Sequence, residues 1–184
     1  MYREFFVDRL IVPELRGGRP IWCIGRAIED PPGLLSGATP LSEATLPTIR
    51  PRPKYLALRG EKPVLGLEHV LGRRAAYLME GPFDWLAAVS WGLSAFAICG
   101  THFPSERLGA LQAATAIYGV FDPDRAGRSA AERFAPLFGS RWRPIRLPNN
   151  VDLAELATMG EAGREMFRSL VGRARATAWQ DSRF

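Results

Sequence analysis

From residue 73 onward, short apolar runs alternate with stretches whose apolar residues recur at helical spacing. The runs are Ala75 to Met79, Ser94 to Cys99, Ala116 to Phe121 and Trp142 to Leu147. Between the first two, Pro82 suits the opening turn of a helix, and Trp85, Leu86, Val89 and Trp91 form a stripe that ends at Gly92. Pro104 to Gln112 is expected to be helical. Arg125 to Phe138 is expected to be a helix with Ala130, Ala131, Phe134, Leu137 and Phe138 on one side, and Pro136 is expected to end or kink it. Two further helical stretches are predicted near 152–159 and 161–175. Strands this continuously apolar, alternating with helices, predict an α/β fold: a mainly parallel sheet flanked by helices on both faces. Ligands of such sheets bind beyond the carboxyl ends of the strands.

The upstream part has a different texture. Phe6 to Val12 and Ile21 to Ile28 are rich in β-branched and aromatic residues, and Arg16-Gly17-Gly18-Arg19-Pro20 between them supplies a turn. This predicts a hairpin, with a short strand at Tyr55 to Leu58. Between them, residues 29–53 hold six prolines and are expected to be an irregular insertion. The predicted division is a basic, β-rich amino-terminal subdomain over 1–72, the α/β domain over 73–158, and a helical tail over 159–184.

Composition closes off several classes. The chain has 184 residues and is 47% hydrophobic, enough for a substantial core. No run approaches the ~20 apolar residues of a membrane span, and no signal-peptide pattern opens the chain. No membrane association is therefore expected, and the expected compartment is the cytoplasm. The two cysteines, Cys23 and Cys99, sit in apolar segments and are expected to be core thiols. With no Cys-x-x-Cys pair and with His69 and His102 far apart, no zinc site is expected. A net charge of +5 is compatible with a polyanionic partner.

Three acidic clusters follow the strands: Glu80-Gly81-Pro82-Phe83-Asp84, then Asp122-Pro123-Asp124, then Asp152-Leu153-Ala154-Glu155. Each acid has an ordinary explanation. Asp124 suits the N-cap of the next helix. Asp84 complements a helix dipole in the first turn. Asp152 and Glu155 have capping-box spacing. Taken together, however, the acids occupy successive loops at one sheet edge. Converging carboxylates repel unless a hard cation lies among them. Two readings, cap and Mg²⁺ ligand, therefore stand side by side. Gly127 would permit a tight turn or a close approach after the second cluster.

The pattern resembles the Toprim domain. The segments that carry the likeness are Glu80-Gly81-x-x-Asp84, Gly100-Thr101, Asp122-x-Asp124-x-Ala126-Gly127 with Arg128 and Ala130-Ala131, and Leu147-Pro148 before Asp152. Upstream, Asp8 to Pro13, Gly25-Arg26, Pro53-Lys54-Tyr55-Leu56 and Leu65-Gly66-Leu67 resemble the basic subdomain of the catalytic core of bacterial replicative (DnaG-type) primases. The chain departs from that family at Pro123, where glycine is usual, and at Ala154, where a further aspartate is usual.

The resemblance implies a nucleotidyltransferase that makes short RNA primers on single-stranded DNA from nucleoside triphosphates. Glu80, Asp122 and Asp124 are the implied catalytic acids. With Asp84 and Asp152 they are the implied ligands of Mg²⁺ or Mn²⁺. Arg9, Arg26, Lys54, Lys62 and Tyr55 are the implied contacts to nucleic acid or nucleotide. A replicative helicase and a separate zinc-binding protein are the further partners implied. Two alternatives stay open: a Toprim metal-dependent nuclease, and a catalytically weak, primase-like nucleic-acid-binding accessory protein.

Overall fold

A computed structural model describes residues 5–28, 53–100, 103–148 and 151–181. The expected proline-rich insertion lies outside the described residues apart from Pro53, as do Thr101 and His102. The chain forms two compact units, Met1–Gly60 and Glu61–Phe184.

The first unit is an antiparallel sheet of β1 (Arg9–Arg16), β2 (Arg19–Ala27) and β3 (Tyr55–Ala57), in that order. Gly17 and Gly18 join β1 to β2 with φ values of 54° and 76°. Two positive φ angles in a two-residue turn match the twist of the flanking strands. The ladder therefore continues up to the Arg16–Arg19 pair. This moves β1 toward the turn relative to the predicted Phe6–Val12, because residues 5–8 are bend and turn, with Asp8 at φ 51°. Val12, Trp22 and Ile24 are buried, and the Trp22 indole N–H donates to the Leu58 carbonyl at 3.3 Å. Trp22 is thus a packing residue. Ile11, Leu15 and Ile21 remain exposed.

The second unit holds a four-stranded, wholly parallel sheet. Its strands are β4 (Ala75–Met79), β5 (Ala95–Ala97), β6 (Ala116–Phe121) and β7 (Trp142–Arg146), in the order β5-β4-β6-β7. The chain winds from β4 outward to β5, then returns past β4 to lay down β6 and β7 on the other side. Leu65 closes the β5 edge through a two-bond antiparallel bridge to Ala97, at 2.8 and 3.0 Å.

Strand side chains alternate between the faces. On one face Leu78, Phe96, Ile117 and Phe121 join a core completed by α2 (Arg125–Phe138), Phe103, Leu111 and Trp142. Phe121 and Phe134 stack with centroids 5.8 Å apart. On the other face Tyr77 and Tyr118 stack at 4.8 Å. There α4 (Glu161–Asp181) brings Phe167 to 6.3 Å from the Tyr77 ring, and Arg175 Nε donates to the Tyr118 hydroxyl at 2.9 Å. The helices α1 (Pro82–Ser90) and α3 (Leu153–Thr158) pack against each other, and α3 also packs on α4.

Two local expectations shift. Ser105–Leu111 is a 3₁₀ segment rather than an α-helix, with i→i+3 bonds such as Arg107 N–H to Pro104 O at 3.0 Å. It is short and interrupted by Gly109, so it does not sustain an α ladder. Pro136 does not end α2, which runs to Phe138. It sits in the last turn, where its missing N–H removes only one bond. Cys23 and Cys99 are half-buried rather than core residues, and burial pushes the Cys23 thiol pKa up.

Leu78 is fully buried between layers. The Leu78→Ala variant should lose about 2–5 kcal/mol of unfolding free energy in urea titration. Ile11→Ala, on the exposed strand face, should change it by less than about 0.5 kcal/mol.

Candidate metal centre

The topology determines where the acids stand. The winding reverses between β4 and β6, which makes their carboxyl ends a topological switch point, the usual ligand site of open α/β sheets. Met79 pairs with Val120 across that ladder. Glu80 follows β4 by one residue, and Asp122 follows β6 by one residue. Two carboxylates thus leave adjacent central strands at almost the same height.

Glu80 is half-buried, and its pKa is raised. Burial is the largest cause, followed by repulsion from Asp122 and then Asp124, with Arg133 of α2 pulling the other way. Asp124 is the N-cap of α2: its Oδ1 accepts from the Gly127 N–H at 2.8 Å. Arg128 braces the same loop, its guanidinium donating to the Pro123 carbonyl at 2.9 Å. Gly127 is buried, and a Cβ there would run into the Asp122 backbone carbonyl. The helix therefore starts tightly behind Asp122 only because residue 127 has no side chain.

The third cluster is joined to the first. Asp152 Oδ1 accepts from the Glu155 N–H at 2.6 Å, and Glu155 Oε2 accepts from the Asp152 N–H at 3.1 Å. This is the reciprocal capping box expected from the spacing. Asp84, in the first turn of α1, accepts from the Ala154 N–H at 3.2 Å through Oδ1. At the position where an acid is usual in the resembled family, the backbone amide serves as a donor to Asp84. The Asp84 pKa is raised from 3.8 to about 6, mainly by burial, then by Asp152, with Asp122 and Glu80 adding to it. The Ala154 hydrogen bond opposes that shift.

Among the described residues, no three His, Cys, Asp or Glu side chains stand close enough to form a ready-made metal cage. The acids nevertheless act on one another electrostatically, as the Glu80 and Asp84 shifts show. Coulomb repulsion reaches further than a coordination bond, so both observations hold together. The donor set, all carboxylate oxygen, fits a hard divalent cation.

The basic residues divide between the units. In the first, Arg9, Arg26, Lys54 and Tyr55 share one end of the sheet, with Arg26 paired to Tyr55 in register. The Arg9 guanidinium donates to three backbone carbonyls, of Gly25, Lys54 and Pro53, at 3.2, 3.3 and 2.9 Å. It pins β3 in place. Lys54 lies 5.8 Å from the Tyr55 ring centroid, and both residues are exposed. In the second unit, Lys62 Nζ donates to the Cys99 carbonyl at 3.3 Å. No motif marks Arg133. Its influence on Glu80 comes from the packing of α2, and no sequence signal pointed to it.

Residues 77–157 match the Toprim-like family profile, and all five acids lie within that stretch. This part of the chain is a Toprim-like domain. Its fold is that of the DnaG-type primase catalytic core. The Aquifex aeolicus primase, solved as its zinc-binding and RNA polymerase domains, superposes with a TM-score of 0.68 at 25% identity, over 94% of this chain and 42% of that one. A DNA primase domain from Pseudomonas aeruginosa gives 0.64 at 24% identity, over 91% and 51%. The RNA polymerase domain of Mycobacterium tuberculosis primase DnaG gives 0.64 at 23%, over 90% and 55%. The chain thus spans about half the length of these structures. No curated protein sequence matches it. No helix among the described residues is long and apolar enough to cross a membrane.

The raised pKa of Asp84 has a defined consequence for the cation-free protein. A carboxyl whose folded pKa lies above its ordinary value favours folding when protonated. That contribution is complete below about pH 4 and is lost as pH rises through about 6. Asp84→Asn should therefore be more stable than the parent at pH 7.5 in EDTA, by up to roughly 3 kcal/mol. The two should converge near pH 4, as read by urea unfolding at each pH. Gly127→Ala should lose about 1–3 kcal/mol in the same measurement, from forcing a methyl against the Asp122 backbone.

Proposed function

We propose that this chain is a primase-type nucleotidyltransferase core that makes short RNA primers on single-stranded DNA in a divalent-cation-dependent reaction. The observation that carries this reading is the placement of Glu80 and Asp122 at the switch point of a Toprim-like sheet, electrostatically coupled to each other and to Asp124. Glu80, Asp122 and Asp124 would hold Mg²⁺ or Mn²⁺, with Asp84 and Asp152 adding negative charge behind them. When bound, the cation supplies charge neutralisation and orientation of the triphosphate for in-line displacement. Arg128 keeps the Asp122–Asp124 loop in position, and Gly127 lets that loop sit close to the first turn of α2.

Arg26, Lys54 and Tyr55 would meet the template or the incoming nucleotide, with the exposed Tyr55 ring available for stacking on a base. Arg9 supports this surface by fixing the start of β3. A DnaG primase catalytic domain of this fold has been solved bound to single-stranded DNA, which supports a nucleic-acid partner here. Nucleoside triphosphates, a replicative helicase and a separate zinc-binding protein complete the proposed set of partners.

Two measurements test this. Labelled nucleotides incubated with single-stranded DNA and Mg²⁺ or Mn²⁺ should give short RNA. Asp122→Asn should cut the yield by at least about 100-fold, more than loss of a group that merely supports a metal ligand. In thermal unfolding, saturating Mg²⁺ should raise the midpoint of the parent, equivalent to about 2.7 kcal/mol at 100 times the Kd. It should leave Glu80→Gln unmoved. Chain cleavage of labelled DNA without synthesis would point to nuclease action instead.

A further inference from the structure

The exposed apolar surface of this chain is unevenly distributed. Apart from Leu71, Leu86, Met159 and Met166, every exposed large hydrophobic residue among those described belongs to the first unit. Alternation along β1 sets Ile11, Pro13 and Leu15 opposite the buried Val12 and Glu14. On β2 it sets Ile21 and Cys23 opposite the buried Trp22 and Ile24, and Pro13 pairs with Cys23. Ile11, Leu15 and Ile21 are each almost half exposed, at 46, 46 and 47%. The face ends on one side at Gly25, over which Phe6 and the Arg9 side chain lie. On the other side it ends at the hairpin turn, flanked by Arg16 and Arg19. The described residues of this unit carry Arg9, Arg16, Arg19, Arg26, Lys54 and Arg59 against Asp8 and Glu14, and Glu14 is buried. An apolar centre thus has a basic rim.

We propose that this face docks an acidic amphipathic helix of another protein. A helix laid on a sheet is the ordinary way of covering apolar strand side chains. From Ile11 to Leu15 the strand rises about 13 Å, at roughly 3.3 Å per residue. That length takes about nine residues of α-helix, roughly two and a half turns, enough for one apolar stripe to span the face. Acidic residues beside the stripe would meet Arg16 and Arg19. Like charge on two such units disfavours a second copy as the occupant. An added strand is disfavoured at the β1 edge, where Pro13 interrupts the row of donors and the ladder is irregular between Glu14 and Leu15. A single-stranded nucleic acid is disfavoured because Ile11, Pro13, Leu15 and Ile21 offer no ring for a base to stack on. Register and alternation put Arg26 and Tyr55 on the opposite face, so the docking surface is separate from the one proposed for the template.

The probe is a synthetic, fluorescein-labelled helix of about five turns, with leucines on one face and glutamates on the other. A twin carries lysine in place of each glutamate. By fluorescence anisotropy, the full chain should bind the glutamate helix at least about tenfold more tightly than the lysine twin. Added salt should narrow that difference. Leu15→Ser, Ile21→Ser and Arg19→Glu should each weaken binding of the glutamate helix by at least about tenfold, while Arg19→Lys retains it. Met166→Ser, at an exposed apolar residue of α4, should bind as the parent does. The urea midpoints of the variants should stay close to that of the parent, because the face is exposed. Lack of preference for the glutamate helix in the parent overturns the proposal, as does an equal loss of binding in Met166→Ser. A clear fall in the urea midpoint of Leu15→Ser and Ile21→Ser also overturns it, because the face would then be covered within the chain. A dimer seen by sedimentation that Leu15→Ser dissociates assigns the face to a second copy instead. Binding to phosphatidylserine vesicles that the same variants abolish, with no preference between the peptides, assigns it to a lipid surface and rejects the helix. None of these readouts depends on primer synthesis, so the result bears on the docking face alone.

Discussion

The parallel ladder between Ala75–Met79 and Ala116–Phe121 sets the height at which Glu80 and Asp122 emerge. Parallel pairing needs a crossover between its strands, and here that crossover first lays down β5 on the far side of β4. The chain must then come back, and the return leaves the β4 and β6 loops running in opposite directions. Glu80 and Asp122 sit in the opening between those loops. Once the ladder is in register, the remaining elements act on it. Gly127 lets α2 start immediately behind Asp122, Asp124 closes the first turn of α2, and Arg128 holds the loop backbone.

That arrangement works against stability. Buried and half-buried carboxylates that raise one another's pKa values oppose the folded state at neutral pH, and the core beneath them carries the load. On one face of the sheet Phe121, Phe134, Phe138 and Trp142 form a continuous set of stacked rings. Sites that hold like charges together are where fold and function pull in different directions. The third cluster is the best compensated, since Asp152 is committed to a capping box and the Ala154 amide meets Asp84.

Features governed by near neighbours could be read from the sequence. Asp124 and Asp152 emerged as helix caps because a cap is decided within three residues. Pro82 emerged at the first turn of α1 for the same reason. The strand runs stood out because both faces of the sheet are covered, leaving them apolar throughout. What escaped depends on residues far apart in the chain. The bond from Ala154 to Asp84 spans 70 residues, and the three carbonyls that Arg9 meets come from β2 and the approach to β3. The hairpin register slipped because β-branched content marked residues 6–8, whereas the Gly17-Gly18 turn governs how far the ladder extends. The influence of Arg133 on Glu80 comes from the packing of α2 on the sheet, which no local pattern encodes.

The face of the sheet beneath α4 bears on where this domain can be divided. The match to the Toprim-like family profile ends at residue 157, before α4 begins. Yet Phe167, Leu170 and Val171 are buried, and Arg175 reaches the Tyr118 hydroxyl. A fragment trimmed to that stretch would keep all five acids but cut the first two residues of β4 and leave the Tyr77–Tyr118 stack without its α4 cover. The stretch that matches the family profile is therefore shorter than the packed unit, whose sheet is covered on this face by residues as far along as Arg175.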